Sequence, residues 1–132
     1  MIRTYLDSGV LIGRVKGTPD IVDAVDRLIR DPNRVFVSSP FVRLEVLPKA
    51  IFLNRRIEVA FYSRFFARVA AWAEPTELVV NLAEQEAQRF GLSAMDALHV
   101  AAATLLHADQ LITTEGPRKL IHRTVSVSVV AL

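Results

Sequence analysis

The chain has 132 residues, 52% of them hydrophobic and 23% charged, with a formal net charge of +2 and no cysteine. That composition excludes a disordered chain, a disulfide framework and a thiolate metal site, and it suits one domain, residues 1–132, around one core. The mildly basic balance permits a nucleic-acid partner without requiring one. No signal-peptide core is visible at the start, and the longest apolar run, Ala97 to Leu106, is too short to span a bilayer. The expectation is a soluble cytoplasmic protein with no membrane partner.

Ile2 to Leu6 reads as a short strand that breaks at Asp7-Ser8-Gly9. A carboxylate between a strand and a following helix sits at the carboxyl edge of a sheet, where open α/β sheets place their ligands. The same residue would also serve as a helix cap. A short helix is expected over Val10 to Val15. A second opens at Thr18-Pro19-Asp20, with Ile21, Val25, Leu28 and Ile29 on one face. Val35-Phe36-Val37 fits a buried parallel strand. Ser39 and Pro40 open a helix through Phe41, Leu44 and Leu47, ended or kinked at Pro48.

Asn54 to Trp72 reads as one long helical segment with a basic side at Arg55, Arg56, Arg64 and Arg68. Leu78-Val79-Val80 reads as a third strand, and Asn81 with Glu84 as a capping box for a helix ending at Phe90-Gly91. Ser93 caps a helix that is apolar on nearly every side, which predicts burial. Leu111–Thr113 is a fourth strand and Val125 to Val130 a fifth. Strands alternating with helices predict an α/β fold: three layers, α/β/α, around a mostly parallel sheet of four to five strands. Right-handed crossovers place the ends at Asp7 and Thr113 on one sheet edge.

Ten of the fourteen acids lie in polar surroundings: Asp20, Asp23, Asp26, Asp31, Glu58, Glu74, Glu77, Glu84, Glu86 and Asp109. Asp7, Glu45, Asp96 and Glu115 do not; each follows a strand or sits within an apolar helical stretch. Buried carboxylates repel one another and need either basic partners or a shared cation. Oxygen donors suit Mg²⁺ or Mn²⁺. Of three histidines only His99 lies near one of these acids. One histidine without further nitrogen or sulfur ligands is a weak case for a metal ligand. The alternatives for the acids are a helix start at Asp96, a salt bridge from Glu45 to Arg43 or another base, and a turn at Glu115.

Tyr5-Leu6-Asp7-Ser8-Gly9-Val10-Leu11 resembles the opening of a PIN domain, and Phe41-Val42-Arg43-Leu44-Glu45-Val46 its second motif. Gly91 to Ala103, with Ser93, Asp96 and the alanine-rich continuation, is the strongest likeness; Leu111-Ile112-Thr113-Thr114-Glu115 resembles the closing motif. The ordered set is more specific than any single motif. One departure is Glu115, where the family usually has Asp.

The resemblance implies a metal-dependent endoribonuclease like the toxins of VapBC toxin–antitoxin pairs. Asp7, Glu45, Asp96 and Glu115 would be its catalytic, Mg²⁺- or Mn²⁺-binding acids, activating water to leave 5′-phosphate and 3′-hydroxyl ends. Ser8 and Thr113 would orient carboxylates or water. Arg55, Arg56, Arg64, Arg68, Arg118 and Lys119 are candidates for RNA phosphates. The implied partners are RNA, a protein antitoxin and a second copy in a homodimer. Two rivals are a PIN-fold RNA- or protein-binding module without turnover, and a phosphatase of the haloacid dehalogenase type. The latter wants a second Asp two residues after the first, where this chain has Gly9.

Overall fold

The computed structural model describes residues 1–132. In chain order the elements are β1 (Ile2–Leu6), α1 (Ser8–Lys16), α2 (Pro19–Arg30), β2 (Arg34–Ser38), α3 (Pro40–Phe52), α4 (Arg56–Ala67) and β3 (Ala71–Trp72). There follow α5 (Glu77–Phe90), α6 (Ala94–Leu105), β4 (Gln110–Thr113), a 3₁₀ turn at Leu120–Arg123, and β5 (Ser128–Ala131). The strands form one five-stranded sheet in the order β3-β2-β1-β4-β5, and every pairing is parallel. Right-handed crossovers then put α1 to α4 on one face and α5, α6 and the 3₁₀ turn on the other. The winding reverses between β1 and β4. Tyr5 pairs with Val37 of β2 and with Leu111 of β4, so the three strands end level with one another.

Tyr5, Leu6, Val10, Leu11, Val37, Leu111 and Ile112 are buried at the centre of the core. Ala101, Ala102 and Ala103 are fully buried along α6, and their small side chains let that helix lie close to its neighbours. No helix is long and apolar enough to cross a membrane.

The sequence reading misplaced the third strand. Leu78-Val79-Val80 lies in α5, where Val79, Ala83 and Glu86 are buried at helical spacing while Leu78 and Val80 face outward. Pro75 and Thr76 open that helix, so Asn81 and Glu84 fall inside it and not at its start. The true β3, Ala71–Trp72, was read as the end of a long helix; α4 stops at Ala67. Two residues are too few for a period-two pattern to show. Three boundaries also move: α1 begins at Ser8, α3 continues through Pro48, and β5 is Ser128–Ala131. Glu86, assigned to polar surroundings, is 5% exposed. It accepts hydrogen bonds from the Thr124 and Ser126 hydroxyls, fastening the segment after β4 onto α5.

Gly17 closes α1 against α2. A Cβ there would lie 2.4 Å from the Gly13 carbonyl oxygen and 3.0 Å from Ile21 Cγ2. The first obstacle is backbone that cannot rotate away. Gly17→Ala is expected to cost about 1–3 kcal/mol by overpacking, read as a lower urea midpoint at unchanged slope.

Candidate active site

The site lies at the carboxyl ends of β1 and β4, where the winding reverses and an open sheet leaves a crevice. Asp7 leaves β1 in extended conformation and caps α1, its Oδ1 accepting from the Val10 amide at 3.2 Å. The capping reading therefore holds for Asp7. Asp7 is 7% exposed. Burial pushes its carboxyl up; the Thr113 hydroxyl and His99 pull the other way, and Asp96 adds to the rise. Gly9, the second residue of α1, leaves room for the loop after β4. A Cβ there would stand 2.6 Å from the Thr114 hydroxyl and 3.4 Å from Asp7 Oδ1.

Asp96 is half-buried in the first turn of α6, whose cap is Ser93: the Ser93 hydroxyl accepts from the Asp96 amide at 3.3 Å. Burial raises the Asp96 carboxyl, and Glu115 is the next largest cause. Glu115 follows β4, its amide donating to the Thr113 hydroxyl at 3.0 Å. Asp7, Asp96 and Glu115 thus share one electrostatic neighbourhood, and no arginine or lysine is paired with any of them.

Glu45 is set differently. Its Oε1 accepts from the Ser8 hydroxyl at 2.5 Å and from His99 Nε2 at 2.6 Å. The His99 bond is the largest cause holding this carboxyl below the usual range. The base opposite Glu45 is therefore His99, whereas Arg43 lies 5.5 Å from the Phe66 ring centre. His99 is 3% exposed, and its Nδ1 is 2.8 Å from the Tyr5 hydroxyl, which is 2.7 Å from Ser39 Oγ. Both ring nitrogens of His99 are therefore engaged, Nε2 with Glu45 and Nδ1 with Tyr5. A buried chain of Ser39, Tyr5 and His99 thereby aims Glu45 and leaves its Oε2 without a protein donor.

His99 bonds the Glu45 carboxylate and the Tyr5 hydroxyl within the protein. A lone imidazole on an otherwise apolar helix must find buried partners, and that signal was available. Tyr5 and Ser39 gave no such signal.

The basic residues are dispersed. Arg55 stands beside a cavity next to Glu45. Arg118 and Lys119 are exposed in the loop after Glu115, and Arg56 and Arg64 are exposed on α4. Arg68 serves the fold: it donates to the Ile29 carbonyl at 3.0 Å and lies 5.9 Å from the Phe36 ring centre.

The donor chemistry fits a hard divalent cation: carboxylate oxygens, two of them raised by burial, with no arginine or lysine paired to them. The side chains as placed do not gather three such groups into a closed shell.

The PIN domain family model matches residues 4–124. No curated protein matches the chain. Among solved structures, a chain of VapBC2 from Rickettsia felis, bound to a promoter DNA fragment, superposes with a TM-score of 0.73 at 13% identity, covering 99% of each chain. VapBC-1 from nontypeable Haemophilus influenzae gives 0.71 at 20% identity, covering 98% of each. FitAcB from Neisseria gonorrhoeae gives 0.60 at 22% identity, covering 96% of this chain and 95% of the other. At these identities the likeness is one of fold. The family match spans β1 to the segment beyond β4, and with it the whole acid-lined crevice; the chain belongs to the PIN domain family.

Proposed function

We propose that this protein is a Mg²⁺- or Mn²⁺-dependent endoribonuclease acting in the cytoplasm as the toxin of a toxin–antitoxin pair, with a protein antitoxin and a homodimeric state. One observation carries the catalytic reading: at the β1/β4 crevice Asp96 acts electrostatically on Asp7 and Glu115 on Asp96, with no arginine or lysine paired to any of the three. Asp7, Asp96 and Glu115 would hold the cation, with Glu45 contributing its free Oε2. When bound, the cation supplies a water of lowered pKa and offsets charge on the phosphate. Ser8 and His99 keep Glu45 ionised and fixed. Thr113 holds the Glu115 backbone and lies against Asp7. The antitoxin proposal draws support from a structural neighbour described as a toxin–antitoxin complex, from Klebsiella pneumoniae.

The test is cleavage of labelled single-stranded and structured RNAs by the isolated protein in Mg²⁺, Mn²⁺ or EDTA. Metal-dependent cuts leaving 5′-phosphate ends are expected, with a loss of about a thousandfold in Asp96→Asn. Mg²⁺ should raise the thermal midpoint of the wild type and not of the variant. A protein that binds Mn²⁺ yet cuts no RNA would point to another substrate. One that binds neither Mg²⁺ nor Mn²⁺ would be a PIN-fold binding module.

A further inference from the structure

Glu45 forms part of the wall of a second feature, a cavity of about 260 Å³ between α1, α3 and α4. Three cations from three different segments stand on its rim: Lys16 at the end of α1, Lys49 on α3, and Arg55 before α4. The floor is apolar apart from Tyr62. The Tyr62 side chain is 2% exposed, yet it lines the cavity and its hydroxyl has no hydrogen-bonding partner in the protein. Burial pushes that hydroxyl up to about 12, with Glu58 adding to the rise, so at neutral pH it is a proton donor. That hydroxyl is open to a group held in the cavity.

The rim cations are only loosely spent. Glu58 Oε1 lies 3.4 Å from Arg55 Nη1 and 4.0 Å from Lys16 Nζ, while Lys49 has no carboxylate partner. Three cations and a phenol donor exceed what Glu58 and Glu45 can neutralise. The complement of such a cavity is a small anion with several acceptor oxygens, attached to something partly apolar. A backbone phosphate with its ribose has that character, and the volume is too small for a folded peptide element. Sharing Glu45 as a wall makes the cavity adjacent to the acid crevice.

We propose that this cavity is a phosphate subsite of the active site, holding an RNA backbone phosphate that neighbours the one being cut. The inference rests on the ribonuclease reading above and adds Lys16, Lys49 and Tyr62 as positioning residues for it.

The binding test uses the full chain carrying Asp96→Asn, in EDTA, with a fluorescein-labelled single-stranded RNA 10-mer followed by anisotropy across a salt series. Lys16→Ala and Lys49→Ala should each weaken binding about 3–10-fold and reduce the salt slope by about one. Lys49→Arg should keep both. Tyr62→Phe should weaken binding about threefold at unchanged slope, and Glu58→Gln should tighten it by freeing Lys16 and Arg55. Unchanged thermal midpoints would exclude misfolding of each variant.

The second arm is cleavage by protein with intact acids, using oligomers in which one linkage at a time is an uncharged methylphosphonate. At a linkage next to the cut, the wild type should show a KM raised about tenfold at nearly constant kcat. The Lys16→Ala/Lys49→Ala double variant should show no such penalty, because the interaction is already gone. Equal penalties in both proteins would overturn the subsite and leave the nuclease reading intact. So would lysine variants that bind RNA normally but no longer bind a poly-glutamate probe. A parent protein that neither binds nor cuts RNA would overturn both.

Discussion

Asp7→Asn will abolish metal-dependent cleavage, by about a thousandfold or more, and will at the same time raise the thermal midpoint of the metal-free protein. The two effects have one cause. Burial raises the Asp7 carboxyl, so the folded chain binds that proton more tightly than the unfolded chain does. Stability of the metal-free protein is therefore greatest below the ordinary carboxylate range and falls as pH rises through the raised pKa. Asparagine carries no charge at any pH and still offers an oxygen to the Val10 amide that Asp7 caps. At pH 7 in EDTA the gain should be about 3–6 °C; at pH 4 it should shrink. Added Mg²⁺ should reverse the order by stabilising only the wild type. A variant that melts below the wild type at pH 7 would show that Asp7 is structural first and a poised ligand second.

His99→Ala is expected to lower cleavage about 10–100-fold and the midpoint by about 8–15 °C. The ring occupies a site only 3% exposed, so its removal leaves a cavity and strips the Tyr5 hydroxyl of one of its two partners. Together these cost about 2–4 kcal/mol. Glu45 also loses the donor that holds its carboxyl low. A lowered carboxyl contributes stability above its ordinary range that is lost as pH falls through the folded value. The variant should therefore lose less stability than the wild type on acidification. His99→Gln, which keeps a donor for Glu45, should recover part of the activity. An unchanged kcat with the wild-type acid response would remove His99 from any part in aiming Glu45.

The sequence carried the fold further than it carried the site. Alternating strand and helix signals were strong where strands held apolar runs, as in Val35-Phe36-Val37 of β2 and Leu111-Ile112 of β4. They failed at β3, which consists of Ala71 and Trp72 alone. They failed also at Leu78-Val79-Val80, where a β-branched run obeys a helix start set by Pro75 and Thr76. The four acids stood out because their neighbours are apolar, a property local in sequence. What they touch is not local. His99 lies 54 residues from Glu45, and Tyr5 lies 94 from His99. The cavity lined by Lys16, Lys49 and Tyr62 depends on how three helices pack, so its cations looked like ordinary solvated charges.

The strand order also dictates when the protein becomes whole. β1 occupies the middle of the sheet, yet its partner β4 follows about a hundred residues later, and Asp109 reaches back to take the Arg3 amide at 2.8 Å. During synthesis β2 and β3 emerge before β4 and can complete one side of the sheet while the other flank of β1 stays bare. An unpaired central strand is sticky, and pairing so distant in sequence is slow. Asp7 emerges early, but Asp96 and Glu115 reach it only when α6 and β4 dock. Sheet closure and assembly of the acid centre are one late event. A nascent chain thus lacks its acid centre until it has folded, and any mutation that delays β4 lengthens both that interval and the exposure of a bare strand.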